Sequence, residues 1–310
     1  MTLILLFAFL LALITFGVPI LLVMGVVGLA GIVATEGLNP ALFPQKMFAM
    51  LDNFSLLALP YFILAGELIA RGGISKRLVE FAETAVGHWK GGLGHASVVS
   101  SMVFAGVSGS SVADTSAIGS ILVPAMKSRG YKPGFAAALV ACAGTIGAII
   151  PPSMTMIVYG SMTNVSIGGL FLGGIIPGVL IGIGLMIVIW LHSFSPAFPE
   201  LRETSGRFVL AKVIRSGMDV WPALLAPVLV LGGILTGVFT ATEAGVVACF
   251  YGFIVGFFIY RTLKFSDLPG ILIECRLGWD CLRAGYATSL GVSVLRQSSM
   301  QCPTWLGLSR

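Results

Sequence analysis

The chain has 310 residues, of which 57% are hydrophobic and 10% charged, with a mean hydropathy of +1.00. That composition excludes a soluble globular domain. The net charge of +5 is not a nucleic-acid footprint, because the basic residues are spread through the polar breaks between apolar runs and no RNP, zinc-finger or Walker pattern occurs.

Without a G-x-x-x-x-G-K-[ST] motif, nothing in the chain points to direct ATP coupling. Forty glycines fit helices that pack closely in lipid. Cys142 and Cys249 lie in apolar runs and are expected to be buried, inert thiols. Cys275, Cys281 and Cys302 crowd the last 36 residues without metal-ligand spacing. No basic region precedes the apolar start, so the first run reads as a retained span, not a cleaved signal.

In chain order, residues 3–34 predict one kinked span around Gly17-Val18-Pro19, with Gly25, Gly28 and Gly31 forming a small-residue stripe. Residues 35–54 read as a loop with a short helix, and 55–70 as a second span carrying Pro60 and Glu67. From Ile74 to Trp89, charged Lys76, Arg77, Glu80 and Glu83 interleave with Leu78, Val79 and Phe81, which suits an amphipathic helix along the interface.

The next stretch organises the rest. Gly106 to Ser111 is dense in glycine and serine between two apolar arms, Ala96–Gly106 and Ala113–Met126. At 1.5 Å per residue the arms reach about 16 and 21 Å, short of a hydrocarbon core of roughly 30 Å. A re-entrant hairpin is expected, with Asp114 just past its tip; two full spans joined by a flexible loop are the alternative, which leaves Asp114 unexplained. Polar backbone at membrane depth survives only inside protein or against a cavity, so the tip suggests a binding site.

Residues 134–150 are apolar and run into Pro151-Pro152, after which Met154–Met162 continues. Two prolines there predict a discontinuous helix rather than a merely kinked one. Further spans are expected at Ile167–Leu191, ending on an interfacial Trp190, at Val220–Gly237, and at about Ala244–Tyr260, with a polar loop over 192–218 and an amphipathic segment over 265–274. Segments 71–90, 127–132, 192–218 and 261–264 together carry 13 Lys/Arg, whereas Lys46 alone falls on the opposite side. That asymmetry marks the cytoplasmic face and returns the hairpin to the side it left.

Several phrases carry a family resemblance: PYFILAGELIARGGISKRLVEFA from Pro60, GVSGSSVADTSAIGSILVPAMKSRGY from Gly106, GTIGAIIPPSMTMIVYG from Gly144 and GGILTGVFTATEAGVVA from Gly232. Over about residues 1–274 the chain resembles the large membrane subunit of TRAP (tripartite ATP-independent periplasmic) transporters. The resemblance implies a multi-pass protein of a bacterial inner membrane, no enzyme and no cofactor, driven by Na⁺ as coupling ion through an elevator-like movement. It further implies a small membrane subunit, and a periplasmic solute-binding protein that delivers an organic acid such as a C4-dicarboxylate or sialic acid. The family's hairpin tip maps onto Ser108, Gly109, Ser110 and Ser111, and its broken helix onto Gly144, Thr145, Gly147, Pro151, Pro152 and Ser153. The first four, with Gly144, Thr145 and Gly147, are the expected Na⁺ site; Asp114, Pro151, Pro152 and Ser153 are expected along the substrate path. Neutral oxygens suit a hard monovalent cation that must later leave. Asp114 is expected to pair locally or cap the second arm. Glu67 and Glu243 read as structural or interfacial.

The expected fold is all-α and polytopic: spans plus a re-entrant hairpin and a broken helix, forming the first half of an inverted repeat whose second half is incomplete. The expected divisions are 1–90 (spans and interfacial helix), 91–165 (hairpin and discontinuous helix), 166–274 (further spans) and 275–310. The last stretch has no long apolar run, only arginine as its basic residue, and three of the five cysteines, and reads as a shifted reading frame after about Glu274. Two other functions compete: an inactive or assembly-only fragment, and an intramembrane serine protease using Gly106-Val107-Ser108-Gly109. The latter needs a base, and His88, His95 and His192 all fall near the cytoplasmic face.

Overall fold

A computed structural model describes residues 2–34, 41, 54–163, 165–195, 201 and 209–276. The expected loop over 35–54, most of the tail and part of the 192–218 segment lie outside the described residues. Every regular element among those described is helical. The chain divides into two compact units, one of residues 1–54 with 273–310 and one of residues 55–272.

In the first unit, α1 (Thr2–Thr15) and α2 (Ile20–Ala34) replace the expected single kinked span. Gly17 takes φ +74° and Pro19 offers no N–H, so the helix stops instead of bending. A Cβ on Gly31 would lie 3.4 Å from Leu6, which places the end of α2 beside the start of α1. The two form a hairpin with one glycine of the expected stripe at their contact.

The second unit opens with α3 (Ala58–Arg71), entered through a 3₁₀ turn at Phe54–Leu57. Glu67 pairs with Arg71 one turn on, at 3.6 Å. The helix α4 (Ile74–Val86) is amphipathic as expected, and it buries Ile74, Leu78, Val79 and Ala82 against protein.

At the centre lies α5 (Gly92–Ser108), followed by α6 (Ser111–Ser128). These are longer than the expected arms, 17 and 18 residues, or about 25 and 27 Å. Gly92–His95 and Lys127–Ser128, too polar to count as apolar arm, join the helices. Nearly every side chain of α5 is buried, as expected of a helix that is small or apolar on all faces. The chain then forms α7 (Pro133–Gly144), a 3₁₀ turn at Thr145–Ala148, and α8 (Met154–Thr163).

Three helices long and apolar enough to cross a bilayer follow: α9 (Ile167–His192), α10 (Leu210–Leu235) and α11 (Ala241–Ile254), the last continued by a π-turn to Ile259. The start of α10 corrects the expected loop over 192–218. Lys212 and Arg215 had marked it as polar, yet both sit within the first two turns of the helix. Cys142 is exposed at the protein surface, not buried, because α7 turns that side away from its neighbours.

Along the seam of α3 and α11, Cβ atoms on Gly245 and Gly252 would lie 3.0 Å from Tyr61 and 3.2 Å from Ile69. Glycine at these positions lets two backbones approach in lipid, where no hydrophobic force draws helices together. The Cys249 thiol donates to the Tyr61 carbonyl at 2.8 Å in the same seam.

Three of the Lys/Arg-rich segments, 71–90, 127–132 and 261–264, meet at one end of this unit. Arg129 pairs with Glu83 at 2.6 Å, Thr262 donates to the Gly72 carbonyl at 2.7 Å, and the Arg77 guanidinium lies 4.1 Å from the Tyr260 ring centre. Entry to and exit from the α5–α6 hairpin therefore lie at the same end.

The start of α11 carries a full capping box: Thr240 accepts from the Glu243 N–H at 3.3 Å, and Glu243 accepts from the Thr240 N–H at 2.8 Å. Thr240→Ala is expected to destabilise the folded chain by about 1 kcal/mol, read from chemical unfolding in detergent followed by circular dichroism.

Candidate functional site

The turn between α5 and α6 is two residues long, Gly109 and Ser110. Gly109 sits at φ +63°, and a Cβ there would run into the Pro152 carbonyl, so the position needs glycine for both reasons. Ser110 is the N-cap of α6, its hydroxyl accepting from the Ala113 N–H at 3.4 Å. The cap is therefore Ser110, which frees Asp114 for the other expected role, a local pair.

Asp114 is fully buried. The Ser108 hydroxyl donates to its Oδ1, and the Ser110 N–H donates to the same Ser108 oxygen at 3.2 Å. Oδ2 has no hydrogen-bond partner. It faces Gly147, where a Cβ would collide with the carboxylate and come within 3.3 Å of the Ser111 Cα. One turn away, a Cβ on Gly144 would collide with the Thr115 hydroxyl. Gly144 at the end of α7 and Gly147 in the 3₁₀ turn thus let the broken helix lie directly on the first turn of α6.

The break itself is tied to the hairpin tip. The Met154 N–H, first in α8, donates to the Gly109 carbonyl at 3.2 Å. Ser153 is buried, and its hydroxyl donates to the Ala148 carbonyl at 2.6 Å, across the interruption. Thr155 reaches the same carbonyl at 3.0 Å. These bonds satisfy backbone that two prolines leave without regular helical partners.

Of the residues expected from sequence, Ser108, Gly109, Ser110, Ser111, Asp114, Gly147, Pro152 and Ser153 converge on this junction. Gly144 sits one turn below, against Thr115. Pro151 is buried with its carbonyl directed at Gly106, where a Cβ would be 3.7 Å from it. Thr145 is exposed, and its hydroxyl is used within its own helix, donating to the Cys142 carbonyl at 2.7 Å.

Sequence reading missed three participants. Thr115 packs on Gly144, Thr155 shares the Ala148 carbonyl, and Gly66 of α3 lets Ser108 approach, a Cβ there being 3.4 Å from the Ser108 Cα. The one available signal was the Gly66-Glu67 pair inside an otherwise apolar run.

Chemically, the junction offers one carboxylate, hydroxyls and backbone carbonyls. Among the described residues no three His, Cys, Asp or Glu side chains converge, so a thiolate- or imidazole-bound transition metal is not served. No imidazole stands beside Ser108. Its partner is Asp114, and His95 lies thirteen residues back along the same helix, about 20 Å away. Gly147→Ala and Gly109→Ala are each expected to lower stability by about 2–4 kcal/mol. Gly184→Ala, in a helix with nothing within 4 Å of the added Cβ, is expected to be neutral or slightly stabilising; thermal unfolding in detergent compares the three.

Comparison with known proteins identifies the family. Residues 7–278 match the family described as "Tripartite ATP-independent periplasmic transporter, DctM component". The C4-dicarboxylate TRAP transporter large permease protein DctM of Pseudomonas aeruginosa is 42% identical over 229 residues, 74% of this chain and 53% of that protein. The isethionate TRAP transporter permease protein DctMQ of Oleidesulfovibrio alaskensis is 40% identical over 280 residues, 90% of this chain and 42% of its own length. The sialic acid TRAP transporter large permease protein SiaM of Vibrio cholerae is 36% identical over 258 residues, covering 83% and 60% respectively. The chain spans about half the length of these relatives. With four helices among the described residues apolar enough to cross a bilayer, a family match over most of its length and relatives such as one 42% identical, the chain is a multi-pass protein of the bacterial inner membrane and belongs to the DctM component family of TRAP transporters.

Proposed function

We propose that the chain forms the hairpin-bearing part of the large membrane subunit of a sodium-coupled TRAP importer. The substrate is a small organic anion handed over by a periplasmic solute-binding protein, with a small membrane subunit as the other partner. Relatives named for a C4-dicarboxylate, sialic acid and isethionate support an anion whose charge is carboxylate or sulfonate. In this reading the hairpin is re-entrant. Its arms of about 25 and 27 Å lie at the lower end of spanning length, its tip is bonded to the helix break, and both outer ends lie among Lys/Arg-rich segments. Residues 91–165 then act as the transport unit.

The observation that carries the proposal is Asp114. One carboxylate oxygen is held by Ser108, and the other is buried without a partner at the meeting point of a hairpin tip and a broken helix. An uncompensated buried charge is expensive, and proteins resolve it by pairing, by taking up a proton or by binding a cation. Na⁺ fits the donor set. Asp114, Ser108 and the backbone carbonyls of the tip and of the Gly144–Gly147 turn would hold it, and the ion would supply the balancing charge.

Coupling follows from that balance. Without a cation, the carboxylate resists any movement that carries the tip through low dielectric. With one bound, the junction is neutral and can move. The Gly109–Met154 bond keeps tip and break together in either state, so the ion acts on both at once.

Adding Na⁺, but not K⁺ or choline, to the detergent-solubilised chain is expected to raise its thermal unfolding midpoint. Asp114→Asn should abolish the rise and Ser108→Ala should reduce it. At Na⁺ concentrations 100 times the dissociation constant, the stabilisation lost is about 2.7 kcal/mol. A sodium-specific rise of undiminished size in Asp114→Asn would overturn the assignment.

A further inference from the structure

A second feature lies away from the junction, where the start of α5 meets the end of α9. A groove of about 650 Å³ opens there, its wall almost wholly apolar. Ile187 and Trp190 of α9 form one side, Trp89 and the buried His95 the other, with Phe194 and Lys90 at one end. The rings are set edge to face: Trp89 on His95 at 5.3 Å and Trp190 on Phe194 at 4.9 Å between centroids. The Lys90 ammonium stands 4.8 Å from the Phe194 ring centre, and no carboxylate pairs with it among the described residues. His95 Nε2–H donates to the Lys90 carbonyl at 3.1 Å and fixes the backbone that presents this cation.

What fills the groove is set by what surrounds it. The most apolar stretch of α9 has a mean hydropathy of 2.5, yet only 22% of it is buried in protein; Ile187 and Trp190 are about half exposed. A side this apolar and this exposed suits acyl chains. Two tryptophans at one level mark the boundary between hydrocarbon and headgroups. An unpaired lysine at that boundary, on the side that carries most of the Lys/Arg, meets phosphate. We propose that the groove is a binding site for one anionic phospholipid, with an acyl chain along Ile187 and Trp190 and the phosphate on Lys90. A volume of this size is ordinary for a bound small molecule.

The tryptophans allow a direct test that does not depend on transport. The chain is reconstituted in phosphatidylcholine with increasing fractions of dibrominated phosphatidylglycerol or dibrominated phosphatidylcholine, whose bromines quench nearby indoles. Two variants are compared, each with the other tryptophans changed to Phe: one keeps Trp190, the other keeps Trp221, an exposed position on α10 that reports bulk lipid. Trp190 quenching is expected to half-saturate at an about fivefold lower fraction of the brominated phosphatidylglycerol than of the brominated phosphatidylcholine. Trp221 should not discriminate. Lys90→Gln should remove the preference at Trp190 and leave Trp221 unchanged, which also shows that the variant is folded and inserted. Equal quenching of Trp190 by both lipids, or a preference that survives Lys90→Gln, overturns the proposal. Absence of quenching by either lipid also overturns it and assigns the groove to a protein segment.

Discussion

Asp114 lying on Gly147 is the contact that the centre of the second unit depends on. A fully buried carboxylate constrains every group around it. Here the Ser108 hydroxyl turns inward from the end of α5, Ser110 caps α6 so that the carboxylate need not, and a glycine on the facing turn removes the Cβ that would displace it. Replace any one of these and either the charge is stranded or the helices part. The hairpin turn, the helix break and the close approach of α3 through Gly66 are all local answers to the same requirement.

That requirement explains why polar and irregular backbone is concentrated in one place. Pro151 and Pro152 deny the chain regular hydrogen bonds, and Ser153, Thr155 and the Gly109 carbonyl replace them from nearby. The substitutes come from two different segments, so the interruption is stable only while the hairpin tip is seated. Neither element would hold its shape in lipid alone. The junction is thus one structural object assembled from two stretches about forty residues apart.

Much of this was legible in the sequence because the signals were local. A Gly/Ser cluster between apolar runs and a double proline in an apolar run each announced an irregularity where the structure has one. Cys142 was read wrongly for a physical reason: in a bilayer the lipid-facing and protein-facing sides of a helix are equally apolar, so hydropathy cannot say which is which. Lys212 and Arg215 hid the start of α10 because a helix emerging from the hydrocarbon carries charge on its first turns, as a loop does. The end of α1 was read as a bend because Gly and Pro serve both purposes; Leu6 beside Gly31 decides it, and that pairing lies beyond any local window. Thr115 and Gly66 escaped for the same cause, since each matters only through a residue on another helix.

The glycine seam between α3 and α11 carries a mechanical implication. Gly245 meets the Ala58–Tyr61 end of α3 and Gly252 meets the Ala65–Ile69 end, so the two helices run in the same direction with backbone against side-chain roots. Such a contact has no long, rotatable groups to absorb shear. Packed this closely, the two helices form a single post. Ser108 rests on that post through Gly66, so a displacement of the hairpin relative to α3 must open a gap at a glycine, where no side chain can swing in to refill it.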